Sequence, residues 1–177
     1  MQNISDTSSE NNKIAGKVYL MIFSISLFWL ALIIAVPFLE TEGGIYKPIS
    51  DYINVFFSRV CHQEDARSFH IYGHKLGVCS RCVWLYSGFF SGTVIYPLRN
   101  RISNFDTPSV FYLLAFSLLL FLDVILDSAG IMKNTFLTRS LTGFLTGLVL
   151  PFYIIPGFVK FFCEVHSYFR SKFIYKN

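Results

Sequence analysis

Val18 to Leu39 runs for 22 residues without a formal charge, and three more stretches of the chain come close to repeating that pattern. A helix rises about 1.5 Å per residue, so a run of this length crosses the roughly 30 Å of hydrocarbon in a bilayer. Val83–Leu98 is shorter and also uncharged. Val110–Ile131 is interrupted only by Asp123 and Asp127, and Phe136–Val159 only by Arg139. The chain is 53% hydrophobic and 15% charged, and the apolar excess falls in blocks, which argues against an ordinary soluble domain. The expected fold is an all-α membrane protein with four transmembrane helices, at about 18–39, 82–98, 110–131 and 136–159. A signal peptide is the alternative for the first run. That run exceeds a usual h-region, and no small-x-small cleavage site follows Val36-Pro-Phe-Leu-Glu, so an uncleaved anchor is expected.

The net charge of +4 would suggest nucleic acid in a soluble chain, but here the basic residues flank the apolar runs. They are read as topology signals, and the partner is the lipid bilayer rather than nucleic acid. Lys13 and Lys17 precede the first run, Arg99 and Arg101 follow the second, and Lys160, Arg170, Lys172 and Lys176 follow the fourth. Cytoplasmic loops are rich in Lys and Arg, which puts both termini in the cytoplasm of a multi-pass protein of the cytoplasmic (inner) membrane. The loop 40–81 then faces outward, its five basic residues offset by Glu40, Glu42, Asp51, Glu64 and Asp65.

Between these landmarks, residues 1–12 are polar and rich in Ser and Asn, and read as a disordered tail. Residues 13–160 form the membrane domain and 161–177 a basic cytoplasmic tail. Within the loop, Ile49, Ile53, Phe56, Phe57 and Val60 fall at helical spacing, which predicts an amphipathic helix in the interface plane that delivers Cys61 to the membrane surface. Ser68–Val78 reads as a small hairpin around Gly73. Gly88-Phe-Phe-Ser-Gly92 and Gly143-Phe-Leu-Thr-Gly147 are GxxxG patterns, which permit close helix approach and offer faces for a homo-oligomer. Gly is also simply common in membrane helices. Pro151 and Pro156 are expected to kink the fourth helix.

The loop carries the chemistry. Cys61, Cys79 and Cys82 lie with His62 within 22 residues. Two residues between Cys79 and Cys82 let both sulfurs address one centre, Cys61 completes a soft ligand set, and His62, His70 or His74 is available as a fourth. This points to zinc or another soft divalent metal. A thiol redox centre is the second reading. Cys-x-x-Cys at a helix N-terminus, beside Arg81, has a stabilised thiolate, and a quinone would accept the electrons. A structural disulfide is the third. Cys163 reads as an unpaired thiol with S-palmitoylation as its possible modification, and His166 as a surface residue.

Asp123, Asp127 and Arg139 form a second constellation, because ionisable groups within membrane helices face a cavity or one another. Asp123 and Asp127 share a helix face, and Arg139 is expected to pair with one of them. This is a neutralising ion pair, a part of the cysteine site, or the lining of a small oligomeric transporter. His62, Asp123 and Arg139 are the catalytic candidates, with no reaction assigned.

At these residues the chain resembles a family of bacterial and archaeal multi-pass membrane proteins known as domain of unknown function 2085. The resemblance rests on Cys61-His62-Gln63, Arg67-Ser68-Phe69, Cys79, Arg81, Cys82, Tyr86 and Gly88. It continues at Asp123, Gly130, Arg139, Thr142 and Gly143. It implies that Gln63, Arg67, Ser68, Arg81, Tyr86, Asp123 and Arg139 support the site, and Asp127, one turn from Asp123 on the same helix face, is counted with them. His70 and His74 fall outside the pattern. Val83-Trp84 replaces the Thr-Gly usual in the family, placing a Trp where a small residue would leave room beside the site.

Overall fold

The first apolar run lies inside a 41-residue helix, α1 (Gln2–Glu42), about 60 Å long. The computed structural model describes residues 2–100, 102 and 106–174. α1 is followed by a 3-10 turn (Gly44–Tyr46), α2 (Lys47–Ser58) and a second 3-10 turn (Asp65–Arg67). Next come β1 (His70–Ile71), β2 (His74–Lys75), α3 (Ser80–Arg99), α4 (Val110–Ser128), α5 (Phe136–Val149) and α6 (Pro151–Ile174). The polar residues expected as a disordered tail are helical from Gln2. They contain no Gly or Pro before Gly16, and once a helix is nucleated each further residue propagates it cheaply.

All four apolar runs are helical, but among the described residues three helical stretches are long and apolar enough to cross a membrane: Ser9–Glu42, Val110–Ser128 and Phe136–Phe169. The fourth expected crossing, α3, falls outside that set. That helix has the length, but Ser80, Arg81, Ser87, Ser91, Thr93 and Arg99 dilute its apolar character. Its polar and small residues are covered by protein instead: Ser80, Gly88, Gly92, Thr93 and Tyr96 are buried.

The cover comes from α1 and α5. α1 runs antiparallel to α3, with Tyr19 donating to the Thr93 carbonyl at 3.2 Å, Phe23 against Phe90 and Trp29 against Tyr86. α5 runs parallel to α3, and the two GxxxG patterns face each other. A Cβ on Gly88 or Gly92 would meet the backbone of Phe144 and Leu148, and one on Gly143 or Gly147 that of Arg81 and Leu85. The glycine faces expected to serve a second copy are thus used within one chain. Gly147→Ala should therefore push α3 and α5 apart and destabilise by about 1–3 kcal/mol or more, as overpacking does. Gly157→Ala, which meets open space, should be neutral or mildly stabilising; denaturant midpoints of both variants check this.

α4 packs on α5 as an antiparallel hairpin. Gly130, at φ +69, ends α4 with Ile131 and Gly130 donating to the carbonyls of Leu126 and Asp127. Thr135 and Thr138 form the capping box that starts α5. The fourth run is divided at Leu150, since Pro151 cannot donate within a helix, while Pro156 lies inside α6. α6 continues past the expected tail boundary because Val159 and Cys163 pack on Ala15, Val18 and Ile22 of α1. Cys163 is an unpaired thiol as expected, buried in the core, and His166 is exposed as expected.

α2 departs from the interfacial arrangement. It folds back along α1, with Ser50 and Asn54 bonded to Glu40 and Phe57 packed on Trp29. It buries Ser50, Ile53 and Phe57 and leaves Ile49, Tyr52 and Val55 exposed. The hairpin is formed as expected, pairing His70 with Lys75 and Ile71 with His74. Tyr72 (φ 54) and Gly73 (φ 82) make its two-residue turn.

Candidate metal centre

α2 delivers the first cysteine: the Cys61 N–H extends the helix by donating to the Phe57 carbonyl at 2.9 Å. The chain then turns at Gln63, whose φ of 50 is rare for a residue with a side chain. That turn aims the Gln63 N–H at the Cys61 sulfur, 3.4 Å away. The Gln63 side-chain amide donates to the carbonyls of Asn54 (2.9 Å) and Gly77 (2.7 Å), joining the end of α2 to the hairpin. Cys79 is the N-cap of α3 and donates its own N–H to the Cys61 sulfur at 3.2 Å. Cys82 lies in the first turn of that helix.

The sulfurs of Cys61, Cys79 and Cys82 all lie within 4.8 Å of one another. Zinc–sulfur bonds of about 2.3 Å at tetrahedral angles place sulfurs about 3.8 Å apart, so the triad fits one ion with small adjustment. The thiols of Cys79 and Cys82, then the N–H groups of Cys79 and Gln63, hold the Cys61 thiol well below its usual range despite burial. Cys79 is raised, chiefly by sharing a proton with Cys61. The two backbone N–H groups aimed at the Cys61 sulfur favour its thiolate form.

Pro37 explains where the hairpin docks. It has no N–H, so the Ile33 carbonyl, four residues back in α1, loses its helical partner. The Gly77 N–H takes that carbonyl at 3.4 Å. A Cβ at Gly77 would come within 3.1–3.2 Å of Phe57 and Val36, so glycine suits this approach. A proline in an apolar helix leaves a carbonyl to be satisfied elsewhere, and that signal was available in the sequence.

The charged constellation meets the same end of the bundle: Arg139 pairs with one of the two carboxylates as expected, and two further arginines join them. Arg139 pairs with Asp127 (3.3 Å), and Arg67 from the loop reaches Asp127 as well (3.4 Å). Asp123 pairs with Arg81, from within the Cys79-x-x-Cys82 segment, at 2.5 Å, and accepts from Thr142 at 3.4 Å. Arg139 and Asp127 side chains are each 9% exposed. Each Asp therefore ties one stretch of the cysteine loop to the α4–α5 hairpin. Neither carboxylate belongs to the ligand-distance group, which among the described residues holds the three cysteines.

The histidines are not brought into that group either. His62 is exposed on the loop, His74 pairs with Glu40 (3.1 Å) and His70 with Asp65 (3.1 Å). Ser68 is buried and donates to the Glu64 carbonyl, closing the turn that carries Arg67. Tyr86, one turn after Cys82, packs beside the cysteines and against Trp29. Trp84 does not fill the site: its ring stands edge-on to Phe144 of α5 and it is 39% exposed.

A family profile described as Predicted membrane protein (DUF2085) matches residues 61–153, which begin at Cys61 and include the whole charged constellation. The chain belongs to that family. It is also similar to an uncharacterized protein, MJ1492, of Methanocaldococcus jannaschii: 34% identical over 147 residues, covering 81% of this chain and 94% of the relative. No solved structure matches the chain. The family match runs from the triad through α3, α4 and α5 and stops just inside α6. α1 and α2, which complete the walls around Cys61, lie before it.

Proposed function

We propose that this membrane protein binds one soft divalent ion, zinc by preference, through Cys61, Cys79 and Cys82 at the extracytoplasmic mouth of its helix bundle. The observation that carries the reading is the convergence of three sulfurs with two backbone N–H donors on Cys61. Three thiolates select zinc-like ions over hard cations. They supply three of four tetrahedral positions and leave the fourth to water or a substrate atom, the pattern of an exchangeable rather than a closed site. Arg81 and Asp123 hold the ligand-bearing turn in place.

In this reading α3 is a fourth crossing, sheltered from lipid by α1 and α5. Both termini are cytoplasmic. Lys13, Lys17, Arg99 and Lys160 lie at the end of the bundle away from the cysteines, which supports an outward-facing triad. Arg101 and Lys176, which were counted with them from sequence, lie outside the described residues.

Elemental analysis of detergent-purified protein, with a thiol count before and after chelation, tests the proposal. About one soft metal ion per chain is expected, with three thiols gaining reactivity on its removal. His62→Ala should leave the metal content unchanged. Metal-free protein with three freely modifiable thiols would contradict the proposal. Reversible two-electron oxidation of those thiols by a quinone would replace it with the redox reading.

A further inference from the structure

α4 is fastened unevenly. At the cysteine end Arg81 ties it to α3 through Asp123, and along its middle Thr146 of α5 donates to the Phe116 carbonyl at 3.0 Å. At the opposite end, near Arg99, the walls diverge and leave a cavity of about 420 Å³ between α3, α4 and the α5–α6 junction. Its sides are apolar: Ile95 from α3, Phe116 from α4, and Leu148 and Phe152 across the junction. Such a wedge beside a membrane-spanning helix does not stay empty in a bilayer, because lipid chains fill it.

The mouth of the wedge selects among lipids. Arg99, the last residue of α3, lines it and is exposed, and its guanidinium has no hydrogen bond or ion pair among the described residues. Pro108 and Tyr112 bring the first turn of α4 to the same mouth, so the positive end of that helix's dipole adds to the guanidinium. Tyr153 closes the far side, donating to the Ser109 carbonyl at 2.7 Å. An exposed cation and a helix N-terminus above an apolar slot match a headgroup of net negative charge above an acyl chain.

We infer that this cleft is a binding site for an anionic phospholipid, with the headgroup phosphate on Arg99 and one acyl chain between α3, α4 and the α5–α6 junction. The site is independent of the cysteine triad and would stand if that triad bound no metal. A juxtamembrane arginine contributes about 1 kcal/mol toward an anionic lipid, which is roughly a five-fold preference.

The test is native mass spectrometry of the full chain with phosphatidylglycerol and phosphatidylcholine of identical acyl chains. The wild type should retain one phosphatidylglycerol about five-fold more tightly than phosphatidylcholine. Arg99→Gln should bring the two lipids level, and Ile95→Trp, which fills the slot from a partly exposed position, should weaken both. Equal retention of the two lipids by the wild type would overturn the assignment. So would an undiminished preference in Arg99→Gln, or unchanged binding of both lipids in Ile95→Trp.

Discussion

Cys61→Ala is expected to lower the affinity for a soft divalent metal by more than about 100-fold, beyond what the loss of an outer-shell group costs. Cys61 is the acceptor on which the loop converges: the N–H groups of Gln63 and Cys79 both point at its sulfur, and the other two thiols share protons with it. Removing that sulfur takes away one ligand and leaves two donors without an acceptor, so the loop loses its reason to close. Cys163→Ala serves as the control. Cys163 is buried with Ala15, Val18 and Val159 at the other end of the bundle, so its loss should cost some stability and no metal. Competition against a chromophoric chelator measures both variants. Equal affinities in Cys61→Ala and the wild type would remove Cys61 from the site.

The second large effect is expected at Asp127. Its carboxylate bridges Arg139 and Arg67 and accepts from the Asn134 N–H at 3.2 Å, so it joins α4, α5, their connecting turn and the cysteine loop. Asp127→Ala leaves Arg139 buried and unpaired and should destabilise by about 3–5 kcal/mol. Replacing Asp127 by Leu together with Arg139 by Met should recover most of that loss, because a packed apolar pair often equals a buried ion pair. Arg67 keeps its 2.9 Å contact with Glu64 in that double variant. Denaturant unfolding in detergent gives the comparison. A double variant as unstable as the single one would mean that the charges themselves, and not their pairing, are required.

Asp123 should behave differently from Asp127. Its partner Arg81 is adjacent to Cys82, so Asp123→Ala releases the turn that presents two of the sulfurs. A drop in metal affinity of about 10–100-fold is expected, the size found for groups that orient ligands. Unchanged metal affinity in a folded Asp123→Ala protein would confine Asp123 to holding helices together.

Much of this was legible in the chain. Apolar runs marked every long helix, since uncharged stretches of that length have few other ways to satisfy their backbone. The Cys-x-x-Cys spacing and the turn around Gly73 placed the sulfurs near one another before any coordinates existed. What periodicity did not reveal was which partners the charges would choose. Spacing put Asp123 and Asp127 on one face but said nothing of the rotation of α4, which gives one carboxylate to Arg81 and the other to Arg139 and Arg67. α2 was misplaced for a related reason. Its hydrophobic stripe was read correctly as a face, but a face can meet lipid or protein, and the polar bonds from Ser50 and Asn54 to Glu40 decide for α1. The glycine patterns likewise signalled a close helix contact and left open whose helix would fill it.

X-ray absorption at the metal edge of the purified, metal-bearing protein tests the central claim most directly. The account predicts a first shell of three sulfurs at about 2.3 Å and one nitrogen or oxygen at about 2.0 Å, the shell of a three-thiolate site with an exchangeable fourth position. A shell of oxygen and nitrogen alone, or a protein that carries no metal while keeping its fold, would contradict it.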